Sequence, residues 1–400
     1  VSGRVLRIGA AGLGRAFTLM LPTFRADARV RLVAGTDPRP EAGAQLAREF
    51  GARVHPDIES LCADPEVDLV YVATPHQHHA DHVRIAAAHG KHVLVEKPMA
   101  ITLDECRAMI DATGAAGVHL IVGHSHSFDL PCLRARTLIE SGALGAVRMI
   151  NAQYHTDFIY RPRRPEELDT TKGGGVIFSQ AAHQIDIVRL LAGGKAVSVR
   201  AHTGAWDAAR PTEGAYAALI GFEGGAFASV VYSGYGHFDG DELCDWVGES
   251  GLPKDPQAYL GGPARLQALT ASRDEAAAKA ARNFGGEAQA ASPDDAMRLH
   301  QHFGQVLVCC ERGDIRPGPR GLTIYGDQAR SVEALAPPAV PRGTVIDEAW
   351  GAVFEGRAPL HNGTWSMATL EVCLAILASA AEGREVRLQH QVAPRPVGLP

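Results

Sequence analysis

Arg7-Ile8-Gly9-Ala10-Ala11-Gly12-Leu13-Gly14-Arg15-Ala16-Phe17 is the stretch whose reading decides the fold. A short apolar run, Val5–Ile8, ends in glycines, and a helical pattern follows over Ala16–Phe24. Strand, glycine turn and helix together open a βαβ unit. Gly12 and Gly14 fit the first two glycines of the fingerprint G-x-G-x-x-G. One permits the tight turn. The other lets the backbone approach a pyrophosphate at a helix N-terminus, where free N–H groups and the helix dipole favour an anion. Leu13, Arg15 and Ala16 complete the expected phosphate-facing turn. Phe17 holds the third place, normally Gly or Ala, so the helix is expected to pack more loosely, or shifted, on the strand. Alone, such a turn fits many α/β proteins.

The next elements add weight. A second strand, Arg31–Gly35, runs out at Asp37. An acid about 20 residues past the glycines accepts hydrogen bonds from the adenosine ribose diol. It also repels a 2′-phosphate, so NAD is expected over NADP. Arg39 is a candidate phosphate partner and leaves NADP open, and Asp37 also reads as a turn residue before Pro38. Strands at Leu69–Ala73, His92–Glu96 and Leu120–Gly123 alternate with helices at Glu41–Phe50, Ala80–His89 and Leu103–Thr113. Short apolar strands between helices predict a parallel sheet buried on both faces, with right-handed crossovers. Residues 1–124 are thus a doubly wound Rossmann domain.

From Ser125 the pattern changes. After a helix around Arg134–Glu140, strands are expected at Val147–Tyr154, Ala196–Thr203, Ala215–Phe222, Ala226–Tyr235, Gly321–Gly326 and Arg330–Leu335. Glu223–Gly225 makes a hairpin turn, and one helix, about Phe178–Leu191, interrupts the run. Grouped strands predict an α+β domain over 125–400 with a large, mostly antiparallel open sheet, closed by a helix at 366–382. The Ala-rich, charged segment Leu252–Pro293 reads as a lid, an oligomer contact or a surface insertion, the last being favoured.

The chain has 400 residues, which fits two domains. With 46% hydrophobic and 21% charged residues it is globular, and a net charge of −6 gives no electrostatic footprint for nucleic acid. No run of about 18 apolar residues suggests a membrane span. The first residues read as a strand rather than a signal peptide. Seven cysteines, an odd number with no C-x-x-C pair, read as reduced thiols in a cytoplasmic protein. Cys309-Cys310 reads as a pair of small strand residues.

Two segments carry chemistry in the first domain. Ala73-Thr74-Pro75-His76-Gln77-His78-His79 ends the third strand and Glu96-Lys97-Pro98 ends the fourth, both at the carboxyl edge where such sheets bind ligands. His76, His78, His79 and His82 suggest a metal, but no Cys or acid stands at matching spacing, so no metal is expected. In the second domain, Gly173-Gly174-Gly175 leads to His183 and Asp186. Glycine turn, A-T-P-x-x-x-H, E-K-P, and G-G-G before a histidine helix occur in that order. In this the chain resembles the Gfo/Idh/MocA oxidoreductase family over most of its length.

The resemblance implies a NAD-dependent dehydrogenase. It implies Lys97 as the active-site lysine beside the nicotinamide and His183 as the proton-transfer group. Thr74, Pro75, His79 and Glu96 then line the cofactor. The family's usual aspartate four residues before the histidine is Ser179 here, which leaves the usual lysine–aspartate–histidine set incomplete. Asp186, one turn after His183, reads either as the group orienting the imidazole or as a helix ion-pair partner.

Tyr160-Arg161-Pro162-Arg163-Arg164-Pro165 is a basic patch before the glycine triplet. Arginine binds carboxylates in bidentate fashion, so Arg161, Arg163 and Arg164 suggest an anionic substrate; a solvated loop is the plainer reading. With Gly12–Pro22, Gly123–Phe128 and Phe178–Gln184, the patch resembles the phthalate dihydrodiol dehydrogenase branch of the family. That branch oxidises a cis-dihydrodiol with two ring carboxylates, 4,5-dihydro-4,5-dihydroxyphthalate, to the aromatic diol. His126 and Asp157 are further candidates for touching the substrate hydroxyls. A homo-oligomer without nucleic-acid or membrane partners is expected. A sugar or inositol dehydrogenase and a non-catalytic NAD-binding regulator are the alternatives.

Overall fold

Strand β1 (Leu6–Ala11) sits at the centre of the first sheet, between β2 (Val30–Thr36) and β4 (Leu69–Val72). The sheet is completed by β3 (Arg53–Val54), β5 (His92–Val95) and β6 (Leu120–Val122) in the order β3-β2-β1-β4-β5-β6, all parallel. Residues of β4 and β6 are buried throughout, as a sheet with helices on both faces requires. The strand order reverses between β1 and β4. In doubly wound sheets the ligand crevice opens at that point, beyond the carboxyl ends of the strands. The two-residue edge strand β3, exposed at both positions, and the helix Ile58–Ala63 go beyond the sequence reading.

The protein is represented here by a computed structural model that describes residues 3–271, 274–287 and 298–397. These form two compact units. One takes in 1–124, 273–294 and 339–367; the other takes in 125–272, 295–338 and 368–400. Leu252–Pro293 is therefore divided between the units, and its last part, 288–293, lies outside the described residues.

The second unit is built on nine strands: β7 (Val147–His155), β8 (Ala196–Gly204), β9 (Ala215–Phe222), β10 (Phe227–Ser233), β11 (Gln305–Cys310), β12 (Gly313–Gly318), β13 (Gly321–Gly326), β14 (Arg330–Ala334) and β15 (Val386–Arg387). They lie in the order β14-β13-β12-β11-β7-β10-β9-β8-β15. Every neighbouring pair is antiparallel except β7 with β10. Alternating burial along β7, β9 and β10 marks one covered and one open face. Helix Ala182–Ala192, buried almost all round, packs against β7 and β10.

The long helix Gly363–Glu382 amends one expectation. Its mean hydropathy of 1.5 over 18 residues would suffice to cross a membrane, but 61% of that window is buried within the protein, as in a core helix. Its Glu371 carboxylate accepts from the backbone N–H groups of Gln389 and His390.

Candidate active site

In the first unit the glycine turn is shaped by contact. Gly12 has φ +87°, and a Cβ there would stand 2.8 Å from the carbonyl oxygen of Ala73. Only glycine lets the ends of β1 and β4 approach so closely. Gly14 caps helix Arg15–Ala26 without a side-chain cap. A Cβ at Gly14 would meet nothing nearer than Asn283 Oδ1 at 4.0 Å, so the helix N-terminus has open space beside it for a phosphate. Phe17 fills the third fingerprint position. Its ring is fully buried and lies edge-on to Phe284, with centroids 5.1 Å apart. The helix is thus anchored by an aromatic contact rather than by the close approach a third glycine permits.

Asp37 sits at the end of β2 with both oxygens engaged. Oδ2 accepts from the Leu13 N–H at 2.7 Å, and Oδ1 accepts from the N–H and Nε of Arg39, each at 2.9 Å. Beyond β4, the buried His79 ring stands 2.9 Å from the Thr74 carbonyl through Nε2 and 3.0 Å from the Pro98 carbonyl through Nδ1. Burial pushes His79 down to about 4, so the ring is neutral and its single N–H serves one carbonyl at a time. It clamps the loops after β4 and β5 together. Thr74 Oγ1 lies 3.0 Å from His82 Nδ1, and the rings of His78 and His82 stack. Glu96 is buried and accepts from the Tyr71 hydroxyl at 2.6 Å. Burial raises its pKa, against the opposing pull of the neighbouring Lys97. Thr74, Pro75, Glu96 and Lys97 all lie at the carboxyl ends of β4 and β5.

The second unit gathers a different set. The glycine triplet is a saddle. Gly173 and Gly175 have φ of +78° and +80°, and a Cβ on Gly175 would lie 2.1 Å from the Glu213 carboxylate. Glu213 accepts from the backbone N–H of Ile177 and from the Thr170 hydroxyl. Next comes a single π-helical turn, Ile177–Ala181, unforeseen in the sequence; such turns recur at functional sites. It delivers Gln180 and His183, while Ser179 is half-buried on the same turn.

His183 is buried, with the ring of Phe303 at 4.8 Å and that of His126 at 4.9 Å between centroids. Asp129 Oδ2 lies 2.7 Å from His126 Nδ1, and Glu249 lies 3.5 Å from Nε2. Burial opposes a charge on His126, but the two carboxylates outweigh it and raise its pKa. Asp186 accepts from the hydroxyls of Ser127 and Thr369, and Arg189 donates to Thr369 at 2.6 Å. These bonds tie the histidine helix to its neighbours. Tyr232 and Phe303 lie nearly parallel, 10° apart with centroids at 6.0 Å. The Tyr232 hydroxyl bonds Thr156 at 2.8 Å and Gln180 at 3.2 Å.

The three arginines part company. Arg161 pairs with Asp157 at 2.9 Å, and both line a polar cavity of about 250 Å³ with Tyr154, Asp241 and Lys254. Arg163 lies flat over the Phe158 ring at 3.6 Å, and burial pushes it down to about 10, still charged at neutral pH. Arg161 and Arg163 both act electrostatically on Tyr232. Arg164 pairs with Glu166 at 3.0 Å on its own short turn, 39% exposed. Asp129, Glu249, Tyr232, Gln180 and Phe303 join this set without having been singled out in the sequence. Only the i, i+3 spacing of His126 and Asp129 carried a signal.

A parallel sheet of order 3-2-1-4-5-6 with a glycine cradle at its switch point defines a dinucleotide-binding oxidoreductase fold. Residues 6–124 match the oxidoreductase family with NAD-binding Rossmann fold, and residues 132–252 match the GFO/IDH/MocA C-terminal domain. The chain belongs to the Gfo/Idh/MocA family and is a NAD-binding dehydrogenase of that family. It is 48% identical over 373 residues to 1-carboxy-3-chloro-3,4-dihydroxycyclohexa-1,5-diene dehydrogenase of Comamonas testosteroni, covering 93% of this chain and 94% of that one. It is 34% identical to inositol 2-dehydrogenase 2 of Saccharopolyspora erythraea, over 63% of this chain and 73% of that one. Among solved structures, a dehydrogenase-type protein of Bordetella bronchiseptica RB50 matches with a TM-score of 0.89 and 41% identity, over 96% of this chain and 100% of that chain.

Proposed function

We propose that this chain oxidises a carboxylated ring cis-dihydrodiol to the aromatic diol, with a 4,5-dihydro-4,5-dihydroxyphthalate as the substrate type. The observation that carries this reading is the 48% identity, along nearly the whole chain, to a dehydrogenase named for a carboxylated dihydroxycyclohexadiene. The second unit supports it: cationic arginines suit the carboxylate of such a substrate.

NAD, when bound, supplies the hydride acceptor. Gly12, Leu13, Gly14, Arg15, Ala16 and Phe17 would form its pyrophosphate cradle, Asp37 with Arg39 would hold the adenosine ribose, and Thr74, Pro75, His79 and Glu96 would line the remainder. His183 takes the proton from one substrate hydroxyl; a positioned base of this kind contributes about 10²–10⁴-fold. Lys97 stabilises the developing alkoxide. His126, held by Asp129 and Glu249, binds the second hydroxyl. Arg163, with Arg161, binds the carboxylate, Asp157 holds Arg161 and accepts from a substrate hydroxyl, and Arg164 adds charge from the surface. The substrate gives up one hydride from a carbinol carbon and one hydroxyl proton to the base; the resulting ketone then loses its remaining carbinol C–H proton while its carbonyl oxygen takes up a proton, and the ring becomes aromatic. The products are one diol, one NADH and one proton.

Seven cysteines without a disulfide suit a reducing, cytoplasmic setting. Exposed Leu219 and Phe227, on one face of neighbouring strands β9 and β10, suit self-association of this chain. The test is NADH formation across carboxylated dihydrodiols, uncarboxylated dihydrodiols, inositols and sugars. Turnover of the first class above the others is expected. Turnover of polyols alone, or NAD binding with no turnover, overturns the reading.

A further inference from the structure

In the first unit, a turn far along the chain folds against the dinucleotide cradle. Phe284 is fully buried, its N–H donates to the Leu13 carbonyl at 3.2 Å, and its ring abuts Phe17. Gly285, at φ +80°, is wedged on the second helix: a Cβ there would lie 3.2 Å from Ala42 Cα. Between this turn and the end of β2 lies the Arg39 guanidinium. Nε and Nη2 donate to Asp37 at 2.9 and 3.1 Å, Nη2 also donates to the Leu13 carbonyl at 2.8 Å, and Nη1 donates to the Phe284 carbonyl at 3.1 Å. A guanidinium has five N–H donors, and these bonds use four of them.

We infer that the Asn283–Gly286 turn is a cofactor-specificity element: it fixes Arg39 so that the arginine does not engage the 2′-phosphate of NADP. The position matters because an arginine near this acid is the group that accommodates that phosphate in NADP-dependent relatives of the fold. Here the side chain is present but fastened, at one end to the acid and at the other to two backbone carbonyls. Swinging toward a phosphate means giving up the bonds to Leu13 and Phe284. Phe284 and Gly285 are thus positioning residues that act through Arg39, and the wedge against Phe17 and Ala42 keeps the Phe284 carbonyl in place. The inference rests on the reading of the chain as NAD-preferring.

The test is calorimetric titration of NAD and NADP into the full chain, without substrate. Four variants are compared with the parent: Phe284→Ala, Gly285→Val, and each combined with Arg39→Ala. Phe284→Ala removes the wedge; Gly285→Val drives the turn off Ala42. Each single variant is expected to raise NADP affinity relative to NAD about ten-fold or more. Adding Arg39→Ala is expected to abolish that gain. An unchanged affinity ratio in Phe284→Ala, or a gain that survives removal of Arg39, overturns the inference. Should Gly285→Val not fold, Phe284→Ala decides. A parent that binds NADP as tightly as NAD contradicts the NAD preference itself, a different result from a preference the turn does not control.

Discussion

Arg163→Ala and Arg164→Ala separate the arginines that the sequence presents as equals. Arg163 lies over the Phe158 ring, donates to the Phe158 carbonyl at 2.8 Å and acts electrostatically on Tyr232. A charge-assisted hydrogen bond from such a site to a substrate carboxylate is worth about 1.5–3 kcal/mol. At about 1.4 kcal/mol per factor of ten, its loss raises KM for a carboxylated dihydrodiol roughly 10-fold to 150-fold. Arg164 is 39% exposed and already paired with Glu166. Exposed pairs contribute about 0–1 kcal/mol, so its removal should change KM by about five-fold or less. Steady-state titrations with a carboxylated and an uncarboxylated dihydrodiol on both variants make the comparison. The uncarboxylated substrate should be nearly unaffected by either change. Equal losses for both substrates, or a larger effect at Arg164, would refute the reasoning, because the patch would then act through folding rather than through the carboxylate.

Three further outcomes follow from the same geometry. His183→Ala should lower turnover by about 10²-fold or more while NAD binding, followed by calorimetry, is retained. Asp129→Asn removes one of the carboxylates that raise the His126 pKa. That raised value means the folded state holds the proton more tightly than the unfolded one, so the stabilisation is present below about pH 6.5 and fades as pH rises through the raised value. The variant should therefore lose more stability in melts near pH ~6 than near pH ~9, by about 1.5–3 kcal/mol at the acid end; an equal loss at both would show that His126 is not charged. Gly12→Ala should cost about 2–4 kcal/mol in thermal unfolding, combining the left-handed backbone penalty with contact against the Ala73 carbonyl.

The first sheet was legible because strands buried on both faces are written as apolar runs, and Leu69–Val72 needs no periodicity to be found. β3 and β15, two residues each, bury too little to leave a pattern. Helix Gly343–Glu355 went unread behind the proline-rich loop at Pro337–Pro341. At the site, Gly12 and Asp37 can be named from spacing, whereas Lys97 and His183 are named through the family resemblance of the motifs that hold them. Glu249, Tyr232 and Phe303 could not be named: Glu249 and Phe303 reach His126 from distant loops, and Tyr232 stacks on Phe303, all through tertiary packing alone. The sequence marks Asp37 as an acceptor for a ribose diol or as a turn residue before Pro38, but it cannot show the partners the structure gives it. Its partners are a backbone N–H and an arginine whose placement depends on Phe284, far along the chain.

In the proposed reaction one ring C–H hydride passes to NAD and aromatisation completes the oxidation. Its most direct test uses a carboxylated cis-dihydrodiol deuterated at both carbinol carbons, with the NADH and the diol examined by mass spectrometry. One deuterium is expected in each NADH and one released to solvent, with a diol free of label at those carbons and formed in equal amount to NADH. Unlabelled NADH, or labelled NADH with a product that keeps its second deuterium and does not become aromatic, would contradict it.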